Sequence, residues 1–448
     1  LSKIADIQYL LITLFEAPLL AFFLAFLIRY FDESARNPEY HLIDNSNLPI
    51  YLFMSVVVAL FMGLTVSAEE IFKDRKILGR EAFLNLSWNS YLMSKVFVQF
   101  AISAIQALTF VIIGNAITGI KGMTFEYWLV LFSCWASANV LGLVISDSFQ
   151  AVVTIYILIP FLIIPQIILS GVLVKFEKLN PNISSPVTIP FYGEMVTARW
   201  GYEALAVKQY TDNKFAKKVY AFDKTMSEAR FGKDYWCSKL KGNLDKIVLD
   251  LKKGSRDEGF DKDLLLVSNE IKKQMNLLPG IRLDKADDLS SDRITLETVS
   301  SALAYVEAVR KHYVRQHIEA NDAKDALITK MESENKEAYQ ELRNDYFNVS
   351  LEEFVTSKNE KQKTIEFGGE LIQKLDPVYM DPPNRFIKAH FYSPTKKVFG
   401  LNVDTYVVNV LVIWAMTSVL YVFLYLRVLK KILSSGEKLL KKRPKVTD

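Results

Sequence analysis

Residues 50–68, IYLFMSVVVALFMGLTVSA, run nineteen positions without a charge, and residues 69–81, EEIFKDRKILGRE, then carry eight charged side chains in thirteen. A hydrocarbon core about 30 Å thick takes about 20 apolar helical residues to cross. The first segment therefore reads as a membrane span, and the second as the polar connection that emerges from it. Five more stretches meet the same standard: Gln8–Ile28, Tyr91–Ile113, Phe125–Ile145, Ala151–Val174 and Thr405–Leu426. Charges are almost absent inside them, as expected where each costs about 2.5–3.5 kcal/mol at mid-membrane. The fold expected is an all-α membrane protein with six transmembrane helices. Its composition, 50% hydrophobic and 23% charged over 448 residues, with a mean hydropathy of +0.14, averages an oily part with a wet one. Collagen-like, disordered and disulfide-scaffold classes are excluded by 18 Gly, 14 Pro and 2 Cys. A net charge of +4 gives no sign of a nucleic-acid partner.

The short flanks set the orientation. Lys73, Arg75, Lys76, Arg80 and Lys95 surround the connection between spans two and three, and the tail after span six holds eight more basic residues from Arg427 to Lys445. Both belong in the cytoplasm by the positive-inside rule, and six spans then place the N-terminus there too. The Arg29–Pro49 loop, the turn at Lys121 and the long Lys175–Val403 segment face outward. The first span is too long for a cleaved signal peptide and lacks a small-residue cleavage site. The chain opens on Leu1 rather than Met, which fits a piece of a longer protein or a processed one.

The outward segment is charged and mostly helical in pattern, and we divide it at 175–207, a proline-punctuated loop with a re-entrant-like helix, 208–384, an inserted helical domain, and 385–430, the return into span six. Spans one to five and their polar connection at about 67–85 occupy 1–174, and a basic tail occupies 431–448. Tyr192–Val207 reads as one helix, with Arg199 and Glu203 one turn apart and able to pair. Ile294–Ile318 and Ala323–Tyr346 read as a helical hairpin turning at Asn321-Asp322, with one of these as the second arm's N-cap. Ser350-Leu351-Glu352-Glu353 reads as a capping box. Strand signals are few.

Catalytic chemistry is thin. No GxxxxGK[ST] loop occurs, so the chain builds no Walker-type phosphate cradle. Leu433-Ser434-Ser435-Gly436-Glu437 looks like an ATPase signature loop but has no nucleotide-binding sequence around it. His312 and His317 are five apart and share no helical face, no metal-site or serine-triad pattern stands out, and Cys134 and Cys237 sit in unlike surroundings and read as free thiols. Catalytic and metal residues are therefore expected to be absent. Polar residues within the spans are more informative. Glu16 faces a bundle interior or sits near the headgroups. Gln106, Asn139 and Gln166, with Gln99, either bond helix to helix or line a substrate route.

Four motifs in order resemble a known family. Glu16-Ala17-Pro18 lies in span one. The connection Glu69-Glu70-Ile71-Phe72-Lys73-Asp74-Arg75, Gly79-Arg80-Glu81, Leu86-Ser87 and Ser90-Tyr91-Leu92-Met93-Ser94-Lys95 follows. Ile164-Pro165-Gln166 through Gly171-Val172 ends span five, and Ala198-Arg199-Trp200-Gly201-Tyr202-Glu203-Ala204-Leu205 lies just outside it. Together they resemble the membrane domain of G-subfamily-like ABC-2 transporters, including the bacterial type whose ATPase half can carry a forkhead-associated domain. The resemblance covers roughly 1–207 and 385–435. It departs from the family in two ways: no ATPase domain precedes span one, and the outer loop is much longer, so residues 208–384 inherit nothing.

The resemblance implies the transmembrane subunit of an ATP-driven exporter, moving a hydrophobic or amphipathic cargo by alternating access. Its location would be a cell membrane, such as a bacterial inner membrane. A charged helix between spans two and three would meet a partner ABC ATPase through Glu69, Glu70, Arg75, Arg80 and Glu81. ATP and Mg would sit on that partner and none on this chain, and two copies, or one and a homologue, would enclose the path. Glu16, Gln106, Asn139 and Gln166 are candidates for the path. Arg199, Trp200 and Glu203 would form an outer re-entrant helix with Trp200 at the interface, structural or gating in role. The alternative reading is a membrane-anchored scaffold or receptor acting through its outer domain.

Overall fold

The computed structural model describes residues 7–31, 39–80, 87–180, 182–185, 187–254, 256, 258–382 and 386–441. Helices come in chain order: α1 (Ile7–Ile28), α2 (Leu48–Ser67), α3 (Glu70–Arg80), α4 (Trp88–Thr118), α5 (Thr124–Ser148) and α6 (Val152–Ile168). The continuous Leu48–Arg80 stretch, α4, α5 and the later Thr405–Tyr425 are long and apolar enough to cross a membrane, and Ile12–Ile28 and α6 are shorter apolar helices. Their outward faces carry large apolar side chains, such as Phe161 on α6 and Phe97, 74% exposed, on α4. That pattern suits surroundings of lipid rather than water.

Helix α5 is the centre of the bundle, packed by α2, α4 and the later Thr405–Tyr425 helix. Its seam with α2 is made by small residues. A Cβ at Gly63 would come within 2.6 Å of the Trp135 carbonyl, and one at Gly142 would strike the Ser67 hydroxyl. Where lipid tails are as apolar as leucine, such close backbone approach is what holds helices together. The Asn47 amide donates to the Ile28 carbonyl at 3.3 Å, so the loop between α1 and α2 lies at one end of the bundle, while α3 lies at the other.

After α6 the chain forms α7 (Phe191–Glu194) and α8 (Thr197–Thr211). The single helix expected over Tyr192–Val207 is thus two, broken at Met195-Val196. The outer region follows with α9 (Ala216–Arg230), a π-helical segment at Phe231–Trp236, α10 (Cys237–Lys253), α11 (Phe260–Leu277), α12 (Leu296–Tyr346) and α13 (Val349–Val355). Leu240, Leu244 and Ile247 of α10, Leu264, Val267 and Ile271 of α11, and Val299, Ala302, Val306 and Val309 of α12 enclose a core separate from the bundle's. Their three- and four-residue spacing is one face of each helix.

The hairpin expected at Asn321-Asp322 is not there: helix runs straight through, with the Asn321 amide bonded to Asp325 one turn on at 3.0 Å. The break falls instead at Asn335, whose backbone is extended (φ −163°, ψ 101°) and whose side chain accepts from the Ala338 N–H at 3.0 Å. Asparagine is a strong N-cap; the wrong one was indicated because packing decides between them. The second arm sets Tyr339 against Phe215 and joins Leu342 and Tyr346 to a small core with Val219. The capping box at Ser350 is likewise displaced, since Asn348 caps α13 by accepting from Leu351 N–H at 2.7 Å. Two short antiparallel hairpins complete the region, β1 (Thr364–Phe367) with β2 (Glu370–Gln373), and β3 (Thr395–Val398) with β4 (Leu401–Asp404). Asp404 then caps α14 (Thr405–Tyr425), which is followed by α15 (Val428–Lys441). Both cysteines are free and buried, so neither is placed to cross-link copies.

Candidate functional site

Helix α3 is amphipathic and short, and its first turn begins three residues after α2 ends. The first N–H groups of a helix have no partner inside it, nor do the last carbonyls. Here two helix ends complete each other. The Ser146 hydroxyl near the end of α5 accepts from the Ile71 and Phe72 N–H groups of α3 at 3.0 and 2.9 Å. Arg75 of α3 returns the favour, donating to the Ser146 and Asp147 carbonyls at 2.9 and 2.6 Å. On the other side Lys95 of α4 lies 2.7 Å from Asp74 and 3.3 Å from Glu70, and the Tyr91 hydroxyl donates to Asp74 at 2.9 Å. Asp147 also faces Arg427 and Lys430, at 3.6 and 3.3 Å, which gathers α3, α5 and α15 at one point.

Of the residues expected to face an ATPase, Glu70 and Arg75 are therefore turned inward, into the clamp. Glu69 pairs with Lys73 at 2.6 Å, Arg80 is exposed, and Glu81 lies outside the described residues. The outward stripe of α3 is Lys73, Lys76, Ile77 and Arg80. Sequence reasoning passed over three of these, although their three- and four-residue spacing marks one helical face.

The polar residues of the spans are tied across separate seams. The Gln106 amide donates to the Thr13 carbonyl of α1 at 2.7 Å, the Asn139 amide to the Ser103 hydroxyl of α4 at 2.6 Å, and Gln166 accepts from the Ala198 N–H at 3.0 Å. Glu16 is half-buried on α1. One chain does not bring these four together. Gln106 Oε1, Asn139 Oδ1 and both polar atoms of Gln99 are buried without a hydrogen-bond partner.

The opposite end of the bundle holds a buried ion cluster. Glu203 of α8 and Lys396 of β3 are both fully buried and meet at 2.6 Å. Asn409 of α14 joins them, accepting from Lys396 at 2.8 Å and donating to Glu203 at 2.9 Å and to the Trp200 carbonyl at 3.0 Å. The Tyr392 N–H donates to the other Glu203 oxygen at 3.2 Å. Arg199 reaches Glu203 only at 3.6 Å, and its closer partner is Glu194 at 2.8 Å. Two cations thus face two carboxylates, which is what a buried cluster needs to be tolerated. Burial pushes the Lys396 ammonium down to about 8; Glu203 opposes that shift and Arg199 adds to it. Burial alone would raise the Glu203 carboxyl, but Lys396 and Arg199 outweigh it and hold it below its ordinary value.

Trp200 is not at an exposed interface: it is buried, its indole N–H donates to the Glu194 carbonyl at 2.8 Å, and its ring lies between Arg199 and Lys396. Lys396 and Asn409 were missed in the sequence. Asn409 could have been noticed as an amide inside a span; Lys396 has no local signal. Among the described residues no three His, Cys, Asp or Glu side chains are grouped to hold a metal.

The family model for the ABC-2 type transporter matches residues 1–207, from the start of the chain into α8. No curated protein matches the chain. By that match and its apolar helices this is a multi-pass membrane protein whose residues 1–207 are an ABC-2 type transporter membrane domain.

Proposed function

We propose that the chain is the transmembrane subunit of an ATP-driven exporter, with α3 as the lever through which a partner ABC ATPase moves the spans. The observation that carries this reading is the clamp on α3. A helix whose N–H groups, arginine and acidic side chains are all engaged by α4 and α5 transmits a push to both. Its exposed Lys76, Ile77 and Arg80 offer a basic stripe around one apolar residue, suited to an acidic, partly apolar ATPase surface. ATP and Mg belong to that partner, since this sequence contains no phosphate-binding loop. Two copies, or one and a homologue, would enclose the path, with α3, α15 and both termini in the cytoplasm, as their basic residues favour. At the outer end the Glu203–Lys396–Asn409 cluster fastens α8 to α14, so movement of the inner end would have a fixed point to work against. The long apolar faces suit a hydrophobic or amphipathic cargo.

A scaffold or receptor is the second reading, favoured by the separate core of the outer region. Reversal of Lys76 and Arg80 to Glu distinguishes the two. Co-purification of the ATPase and stimulation of its hydrolysis in vesicles are expected to fall at least tenfold, about 1.4 kcal/mol, while the chain still inserts. Unchanged ATPase association and stimulation would refute the lever and favour the scaffold.

A further inference from the structure

Helix α15 has no part in the clamp beyond its first turn, and its sequence has a second pattern. At about 100° per residue, Val428, Leu429, Ile432 and Leu433 occupy one arc of about 140°, with Gly436 among them. Lys430, Lys431, Lys438 and both serines fall on the remaining arc. From Val428 to Asp448 there are seven basic residues and two acidic ones.

The placement of the helix is equally specific. Arg427, between α14 and α15, sits in the left-handed region at φ 51°, a conformation that a non-glycine residue adopts at some cost and that ends one helix and redirects the next. It is held there by Asp147 and by Trp88, whose ring centroid lies 3.7 Å from its guanidinium carbon. Leu429 packs among Ile71, Leu92 and Leu424 at the foot of the bundle. One turn on, Ile432 of the same arc is 61% exposed. An apolar stripe that starts two residues beyond a membrane span and is edged by lysines lies naturally in the headgroup boundary of that membrane.

We infer that α15 is an interfacial helix that docks on anionic phospholipid, its apolar arc in the acyl boundary and its lysines on the headgroup phosphates. The charge excess selects an acidic surface over a neutral one, and continuity with α14 delivers the helix to it. Because Lys430 and Arg427 share Asp147 with the α3–α5 junction, the docked helix also braces that junction from below. This inference rests on the chain's being embedded in a bilayer and is independent of transport.

The test uses the full chain, with Cys134 and Cys237 replaced by Ala, carrying a single nitroxide at Ile432→Cys or Ser435→Cys, in vesicles of phosphatidylcholine with or without phosphatidylglycerol. In the anionic vesicles the label at 432 is expected to be several-fold more accessible to oxygen dissolved in the bilayer than the label at 435, and several-fold less accessible to a water-soluble nickel chelate. Neutral vesicles, or Lys431→Glu with Lys438→Glu in anionic ones, should reduce that contrast several-fold. Equal water access at 432 and 435 would overturn the inference. So would a contrast that neither neutral lipid nor the lysine reversals diminish, since the apolar arc alone would then account for it. Protection of 432 only on adding an ATPase would assign the face to a protein and likewise overturn it.

Discussion

Changing Glu203 to Gln keeps the shape of the side chain and removes its charge from a fully buried site. Lys396, now 2.6 Å from an amide oxygen or nitrogen, and Arg199 would then face Glu194 as their sole carboxylate. Removing one partner of a buried ion pair costs about 3–5 kcal/mol, mostly through the charge left behind. Lys396→Met should cost less, about 1–3 kcal/mol, because Glu203 keeps Arg199 at 3.6 Å and the Asn409 amide at 2.9 Å. The double variant restores the balance at one cation and one carboxylate, so it should be more stable than the sum of the single losses by at least about 2 kcal/mol. Unfolding in mixed micelles of rising denaturing-detergent content, followed by tryptophan fluorescence, measures all four corners. Trp200, one of six tryptophans, lies 3.9 Å from the Arg199 guanidinium and 4.4 Å from the Lys396 ammonium, measured from its ring centroid, so part of that signal comes from the cluster. Strict additivity of the two substitutions would refute the argument that charge balance, rather than packing, holds the cluster.

Lys396 also sets a pH dependence. Burial holds it at about 8 against 10.5 for a free lysine, so between those values the unfolded chain binds more protons than the folded one. The residue's contribution to stability therefore rises with pH across that window, by at most about 1.4 kcal/mol per unit. The stability gap between the native protein and Lys396→Met should accordingly widen in favour of the native protein from pH 8 to 10; a constant or shrinking gap contradicts the burial account. Ser146→Ala leaves the Ile71 and Phe72 N–H groups without an acceptor and should cost about 2 kcal/mol, with faster hydrogen exchange at these two amides as the direct readout. Asn335→Ala removes a cap and should cost about 1 kcal/mol, seen as loosened exchange protection around Ala338 with α10 and α11 unaffected. Gly63→Leu should prevent α2 and α5 from closing, read as loss of the monodisperse species on size exclusion, whereas Gly79→Ala, with open space around it, should be silent.

Much of the membrane part was legible because lipid imposes a composition. Span two was expected at Ile50–Ala68 and is helical over Leu48–Ser67; span six was expected at Thr405–Leu426 and ends at Tyr425. The charged connection after span two is a helix, as its residues suggested. What charge content could not reveal is direction. Arg75 turns inward and Lys76 outward, although they are neighbours of like charge, because only Arg75 is in register with the carbonyls of Ser146 and Asp147. Asn321 and Asn335 are equally good caps locally, and the choice between them is made by Tyr339 meeting Phe215, far off in the chain. Lys396 and Glu203 are 193 residues apart, and nothing near either one announces the other. Span five was expected over Ala151–Val174; its helix holds Pro160 and Pro165 but stops at Ile168.

The reciprocal junction of α3 and α5 has a mechanical corollary. Each helix terminus supplies the hydrogen-bonding groups the other lacks, so sliding one past the other would strand two amides, two carbonyls and a guanidinium at once. Under the proposed lever, a displacement delivered to Ile77 would reach the inner tip of α5 through those four bonds. Between the two helices lie only Ala68 and Glu69, the short link by which α2 hands over to α3.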